Sequence, residues 1–87
     1  MSHRASGQFW RCYDNLSPAI RRLADRSFAQ VKADPRHPSL HFKSVGRFKS
    51  VRVGLHHRAL GVEIDEGILW FWIGSHADYD KILGESR

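Results

Sequence analysis

The side chains best suited to phosphate chemistry are concentrated in the middle of the chain. Between positions 35 and 62 there is no Asp or Glu, whereas these 28 residues contain six of the 14 Lys and Arg and four of the six His. The cations and imidazoles are Arg36, Lys43, Arg47, Lys49, Arg52, Arg58, His37, His41, His56 and His57. Cations gathered without carboxylates are typical of a surface that binds a polyanion. Imidazole adds the capacity to move a proton near neutral pH.

These residue types could cleave an RNA phosphodiester without a metal. A base would remove the proton of a ribose 2′-hydroxyl, an acid would protonate the leaving 5′-oxygen, and cations would stabilise the transition state. Imidazole suits either proton role, and Arg donates two parallel hydrogen bonds to phosphate. The candidates are His57, Arg58, His76, Lys49 and Arg52. The spacing does not assign which His is the acid and which the base.

Other site chemistries have weaker support. His37 and His41 have helical spacing, but Pro38 lies between them, and the adjacent His56 and His57 would point to opposite sides of a strand. The sequence has neither an HExxH motif nor a glycine-rich phosphate loop. A Ser-His-Asp arrangement stays open, although no nucleophile elbow is present.

Each candidate also has a purely structural interpretation. His57 could be a polar residue at the end of a strand, and Arg58 could pair with Glu63 or with an Asp of the C-terminal tail. His76 could cap a helix, although Ser75 is the better cap.

Two tryptophans share one face of the last predicted strand. Trp70 and Trp72 lie in the apolar segment ILWFWI. Exposed aromatic rings can stack on RNA bases. We expect Trp70 to be in the core, whereas Trp72, nearer the strand end, is a candidate for base stacking.

Helical periodicity is confined to the first part of the chain. Residues 8–16 have apolar positions at helical spacing, which predicts a brief helix. Ser17 and Pro18 form a typical helix start, and the following apolar stripe runs to Asp34 and Pro35, where a helix must end. The two segments predict a helical hairpin.

After position 39 the period changes to that of strands. Strands are predicted at residues 40–45, 49–54, 57–64 and 68–73, with a hairpin turn at residues 65–67 and a last helical turn within 76–83. Helices followed by strands favour an α+β fold. We expect an N-terminal helical hairpin packed on a three- to four-stranded antiparallel sheet, a partly open second face, and a short C-terminal helical segment.

Length and composition set the wider limits. The 87 residues predict a single domain, and we expect residues 1–7 to be a flexible polar tail. The net charge of +5 favours nucleic acid, an anionic membrane or an acidic protein as partner. No apolar run is long enough to span a membrane, and the single Cys12 fits a reducing cytoplasm, with no cofactor or metal indicated.

The order of these segments resembles a known family. The helical hairpin followed by HPSLHFKSV, SVRVGLHHRALGV and ILWFWIGSHADYDKIL resembles the RelE/ParE superfamily of type II toxin–antitoxin toxins, over residues 9–83. The resemblance implies an α+β toxin that is neutralised by a cognate antitoxin. It also implies, from RelE-like members, a metal-independent endoribonuclease that cleaves mRNA on the ribosome.

The resemblance also implies roles for individual residues. Arg58 matches the family's phosphate-stabilising Arg, His76 the His of YafQ-like toxins, and Tyr79 the C-terminal aromatic. Lys49 and Arg52 match basic residues of the preceding strand only approximately. The expected RNA-binding residues are Lys43, Arg47, Arg36 and Trp72.

One departure keeps other functions open. Many RelE-like toxins carry an Arg at or after the last strand, and this chain has none there. The alternatives are a ParE-like toxin that inhibits DNA gyrase without cleaving RNA, and an inactive RNA-binding relative.

Overall fold

The computed structural model describes residues 2–85, which form three α-helices, a short 3₁₀-helix and one sheet. In chain order the elements are β1 (Ser2–Ala5), α1 (Gly7–Asp14), α2 (Pro18–Ala33), the 3₁₀-helix (Pro38–Leu40), β2 (Lys43–Val45), β3 (Phe48–Val53), β4 (His57–Ile64), β5 (Gly67–Ser75) and α3 (His76–Glu85). Within the described range, none of the helices is long and apolar enough to cross a membrane.

Both helices of the hairpin begin at a serine cap. The Ser6 hydroxyl accepts a hydrogen bond from the Phe9 amide at 3.2 Å, and the Ser17 hydroxyl accepts one from the Ile20 amide at 3.3 Å. Asp34 is already extended, because the following proline disfavours helical angles there. The predicted hairpin, including the start at Ser17 and the end at Asp34, is confirmed.

The sheet has more strands than the sequence predicts. Its order is β1-β5-β4-β3-β2, and all neighbouring strands are antiparallel except β1, which is parallel to β5. The α+β class is therefore confirmed, whereas the expectation of three or four strands in a purely antiparallel sheet is wrong.

The additional strand comes from the segment predicted to be a flexible tail. Met1 lies outside the described residues, but Ser2–Ala5 pairs along the edge of β5, with Ser2 opposite Gly67. The Ser2 amide donates to the Glu66 carbonyl at 2.9 Å, and the Trp70 indole donates to His3 Nδ1 at 3.2 Å. These bonds depend mainly on the backbone and on distant partners, so the polar sequence gives no periodic signal for them.

Each face of the sheet is covered by helix. The hairpin covers one face, which we call the hairpin face, with a core that includes Phe9, Ala24, Val31, Val51, Ala59, Trp70 and Ile73. Helix α3 covers the other, the α3 face, where Phe48, Leu60, Tyr79 and Leu83 pack together. The predicted burial of Trp70, Tyr79 and Leu83 is confirmed, and the second face is less open than expected.

A bulge in β5 allows one strand to serve both cores. Leu60 pairs with Trp72, but the next residue, Gly61, pairs with Trp70, which leaves Phe71 as an extra residue. Trp70 consequently packs on the hairpin face, while Phe71 and Trp72 both pack under α3. The expectation that Trp70 and Trp72 share one face of the strand is therefore wrong, because the bulge shifts the alternation of side chains between them.

Candidate functional site

Arg58 lies at the centre of the α3 face and is almost completely covered. Its residue surface is 9% exposed, and its guanidinium carbon lies 5.3 Å from the ring centroid of Tyr79. Its Nε and Nη1 atoms are buried without a hydrogen-bond partner among the side chains that the structure describes. These N–H groups can only donate hydrogen bonds, so an anion would be a suitable partner for them.

A second arginine directly opposes Arg58 across the strand pair. Arg52 on β3 is the register partner of Arg58 on β4, and both are on the α3 face. Like charges directly opposite one another are destabilising in a sheet. Within the described residues no ion pair involves either arginine, so the structural alternative of an Arg58–Glu63 pair is not found. A positive pair without a carboxylate favours a phosphate-binding surface.

Helix α3 brings His76 and Tyr79 to the same place. The Ser75 hydroxyl accepts from the Asp78 amide at 3.2 Å, so Ser75 rather than His76 caps α3. The ring centroids of His76 and Tyr79 are 5.5 Å apart, and Tyr79 lies against Arg58. The fold thus connects His76 to Arg58 through Tyr79.

The imidazole of His76 has a defined neighbour. Its Nδ1 lies 3.2 Å from Asp80 Oδ2, one helical turn further on, and both side chains are at least half exposed. When Nδ1–H of the neutral ring donates a hydrogen bond to the Asp80 carboxylate, Nε2 is left as the proton acceptor. This arrangement suits a general base, and sequence reasoning did not include Asp80.

His57 lies on the opposite side of the sheet from Arg58. It pairs with Val53 and Ser75, and its parity along β4 is that of Ala59, a residue of the hairpin-face core. Burial, followed by the neighbouring His56, lowers the pKa of His57 below its ordinary value. The structure does not bring this imidazole to the Arg58 surface.

Lys49 is separated from Arg58 in the same way. It lies two residues before Val51 on β3 and therefore points to the same face, the hairpin face. Its ammonium donates a hydrogen bond to the Ser44 hydroxyl at 2.7 Å. Arg52 and Lys49 therefore lie on opposite faces of β3, although the sequence predictions placed them in one site.

The predicted RNA-binding residues surround the α3 face unevenly. Exposed Lys43 is on that face, because it pairs with Ser50. Arg47 lies in the turn before β3, with its guanidinium 5.2 Å from the Phe48 ring, and Arg36 is exposed beyond α2. Trp72 is half-buried beneath α3.

The absence of a side chain at Gly74 leaves room for the Trp72 ring. A Cβ at Gly74 would lie 2.6 Å from Cζ2 of Trp72. Gly74 is also the register partner of Arg58 on β5. The Trp72 ring thus lies close to the Arg58 surface.

Ser50 is a polar residue of this face that sequence reasoning missed. It is 0% exposed, and its hydroxyl has no hydrogen-bond partner among the described residues. The signal in the sequence was a serine at an inward-facing position of a strand, among larger side chains.

The structure also contains a cavity away from this surface. A cavity of about 330 Å³ between β1, α1 and α2 is lined by aromatic side chains, including Phe9, Trp10, Tyr13, Phe28 and Trp70, and opens on the hairpin side. Across residues 2–85, no cluster of three or more His, Cys, Asp or Glu side chains is arranged to hold a metal ion.

Comparison with solved structures identifies the fold. The chain is similar to one in the RelB–RelE antitoxin–toxin complex from Methanococcus jannaschii, with a TM-score of 0.71, 11% identity and coverage of 91% of this chain and 96% of that one. A chain of the RelBE2 toxin–antitoxin complex from Mycobacterium tuberculosis gives a TM-score of 0.68, 18% identity and coverage of 86% and 96%.

An isolated toxin gives the same result. The chain matches Escherichia coli RelE with a TM-score of 0.62 and 12% identity, over 98% of this chain and 97% of that one. No protein-family model and no curated protein matches the sequence. At these identities the likeness establishes the fold, and it confirms the resemblance seen in the sequence.

Proposed function

We propose that this chain, which has the fold of the RelE-like toxins, is the toxin of a type II toxin–antitoxin system and cleaves mRNA on the ribosome, in the cytoplasm. The observation that carries the proposal is Arg58, a buried guanidinium whose Nε and Nη1 atoms have no hydrogen-bond partner among the side chains that the structure describes. It lies beside Tyr79 and near His76 on a face where it opposes another arginine.

The proposed reaction is an internal transfer that needs no metal. His76 Nε2 removes the proton of the ribose 2′-hydroxyl, and the 2′-oxygen forms a bond to the adjacent phosphorus. The bond from phosphorus to the 5′-oxygen breaks, and that oxygen takes up a proton. The products are a 2′,3′-cyclic phosphate and a 5′-hydroxyl. Arg58 and Arg52 stabilise the negative charge that develops on the phosphoryl oxygens.

Tyr79 is the group best located to supply the departing proton. Its ring lies between Arg58 and His76, and its hydroxyl is buried without a partner among the described residues. His57 and Lys49 on the opposite face have no direct part in this scheme. Because the Tyr79 ring covers Arg58, the scheme requires this side chain or α3 to move aside as the phosphate binds.

The remaining cations would hold the RNA or ribosomal RNA backbone. Lys43, Arg47 and Arg36 are exposed, and Trp72 lies under the same helix as the proposed active site. Phosphate contacts of this kind orient a nucleic acid without reading its sequence.

A cognate antitoxin is the proposed protein partner. Several of the similar structures are toxin–antitoxin complexes. An antitoxin segment carrying acidic side chains would complement the carboxylate-free region between positions 35 and 62.

The decisive test is cleavage by the purified protein on programmed ribosomes, with mapping of mRNA 3′ ends. We expect Arg58→Ala to lower the cleavage rate about 100-fold or more, because it removes the main transition-state cation. Arg22→Ala, which removes an exposed arginine of α2, is the matched control and should cut like the wild type. Full activity of Arg58→Ala would contradict the mechanism.

The separation of His57 and Lys49 from Arg58 favours one alternative, a ParE-like toxin that inhibits DNA gyrase without cutting RNA. A supercoiling assay discriminates between the two. Inhibition of gyrase with intact mRNA supports the alternative, whereas salt-sensitive RNA binding without either activity identifies an inactive relative.

A further inference from the structure

Three buried side chains under α3 carry unpaired polar atoms. The buried side-chain atoms of the described residues that lack a hydrogen-bond partner are Ser50 Oγ, Arg58 Nε, Arg58 Nη1 and Tyr79 Oη. The three residues are 0%, 9% and 3% exposed, respectively. Buried polar groups are almost always paired, so a group of them in one place needs an explanation.

The three residues belong to neighbouring positions on the α3 face. Ser50 and Arg58 lie on adjacent strands and on the same face, because Ser50 opposes Leu60 and Arg52 opposes Arg58. Such diagonal neighbours are within reach of a long side chain. Tyr79 on α3 belongs to the same core cluster as Leu60, the register partner of Ser50, and its ring centroid lies 5.3 Å from the guanidinium carbon of Arg58.

The chemistry of the cluster selects its ligand. Arg58 can only donate hydrogen bonds, and the two hydroxyls can each donate one. Arg52, opposite Arg58, adds a second positive charge, and neither arginine has an ion-pair partner in residues 2–85. A phosphate group matches this set, because it has several acceptor oxygens and a negative charge, and because Arg binds it with two parallel bonds.

We propose that the Ser50 hydroxyl, together with Arg58 and Tyr79, binds a single phosphate group in a site that α3 covers when it is empty. Ser50 would be a phosphate-binding residue in addition to those considered above. The identity of the anion as an RNA phosphate rests on the proposed function, whereas the existence of the anion site does not.

A purely structural role for Ser50 makes the opposite prediction. If the residue were retained for packing or an internal hydrogen bond, its replacement would destabilise the fold. An unpaired buried hydroxyl, by contrast, can be removed without loss of stability. Ser50→Ala should therefore leave Tm unchanged or raise it by about 4 °C, given the sensitivity of a domain of this size.

The test measures binding of inorganic phosphate by isothermal titration calorimetry, together with Tm. We expect Ser50→Ala to raise Kd for phosphate about tenfold, the effect of one hydrogen bond, without lowering Tm. Ser50→Cys, with a similar size but a weak donor, should weaken binding similarly. Ser27→Ala, a half-buried serine of α2, is the control and should change neither quantity. Unchanged phosphate affinity in Ser50→Ala, or a fall in Tm that accompanies weaker binding, overturns the inference.

Cleavage assays separate this inference from the proposed function. If the wild type cuts no RNA but binds phosphate in a Ser50-dependent manner, the proposed function is wrong and the anion site stands. If the wild type cuts mRNA and Ser50→Ala cuts it equally fast, the role of Ser50 is wrong and the function stands.

Discussion

The environment of individual side chains separates the basic residues into two groups. Arg52 and Arg58 are on the α3 face, and neither has a carboxylate partner among the side chains that the structure describes. His57 and Lys49 face the hairpin, where Lys49 is bonded to Ser44 and His57 is partly desolvated. The face of the sheet on which a side chain lies, rather than its residue type, decides which of these basic groups can act together.

Histidines held neutral by the fold should make stability depend on pH. Burial, then Lys32 and the N-terminus, lower the pKa of His3 below 6.5. The unfolded chain therefore binds this proton more readily than the folded chain, and the free energy of unfolding should fall as pH falls below about 6.5. Urea denaturation between pH 8 and pH 5 measures this loss.

Replacement of His3 should flatten that dependence. We expect His3→Gln to reduce the slope without abolishing it, because the pKa of His57 is also lowered. His41→Asn is the control, since His41 is exposed with φ of 45° and Asn tolerates that conformation. If the free energy of unfolding of His3→Gln depended on pH as steeply as that of the wild type, His3 would not be a source of the pH dependence.

At the level of elements, β1 and α3 determine how the two faces of the sheet are used. β1 adds a parallel strand to the edge of β5 and supplies His3 as acceptor for the Trp70 indole. α3 packs Tyr79 and Leu83 on the opposite face and covers Arg58. Capping residues and apolar periodicity were sufficient to predict α2 and β4, whereas β1 depends on an edge that exists only once β5 is in place.

Gly67 should be essential for the pairing of β1. Its φ is +151°, and a Cβ there would overlap the backbone of Ser2. We expect Gly67→Ala to displace β1 and to lower Tm by about 8 °C or more, because backbone strain and lost pairing act together.

The control for this substitution is another glycine. A Cβ at Gly84 in α3 meets no atom within 4 Å, so Gly84→Ala should leave Tm unchanged or raise it, as expected for Gly replaced in a helix. Amide exchange of residues 2–5 should be fast in Gly67→Ala and slow in Gly84→Ala. Protected β1 amides in Gly67→Ala would contradict this account.

For the whole molecule, the distribution of charge predicts salt-dependent binding of RNA, which can be measured with an oligonucleotide of any sequence. The net charge is +5, and no carboxylate lies between positions 35 and 62. Exposed Lys43 and Arg47 in this region would bind single-stranded RNA through its phosphates.

Removing both charges should reduce the salt dependence of RNA binding. We expect the slope of log K against log salt to become less negative by about 1.4 in Lys43→Gln/Arg47→Gln, or about 0.7 for each lost phosphate contact. Fluorescence anisotropy with a labelled oligonucleotide measures the slope. Arg22→Gln/Lys32→Gln, with two exposed cations of α2 removed, should keep it, and an equal change in both variants would exclude a dedicated RNA surface.

Sequence by itself determined the parts of this protein that depend on local interactions. The Ser17 cap, the end of α2 at Asp34 and the period of β4 are set by neighbours within a few residues. Tertiary structure decided the rest, because strand register and edge pairing depend on distant segments. It placed His57 and Lys49 away from Arg58, paired Ser2–Ala5 with β5, and brought Ser50 and Tyr79 to Arg58 from separate elements.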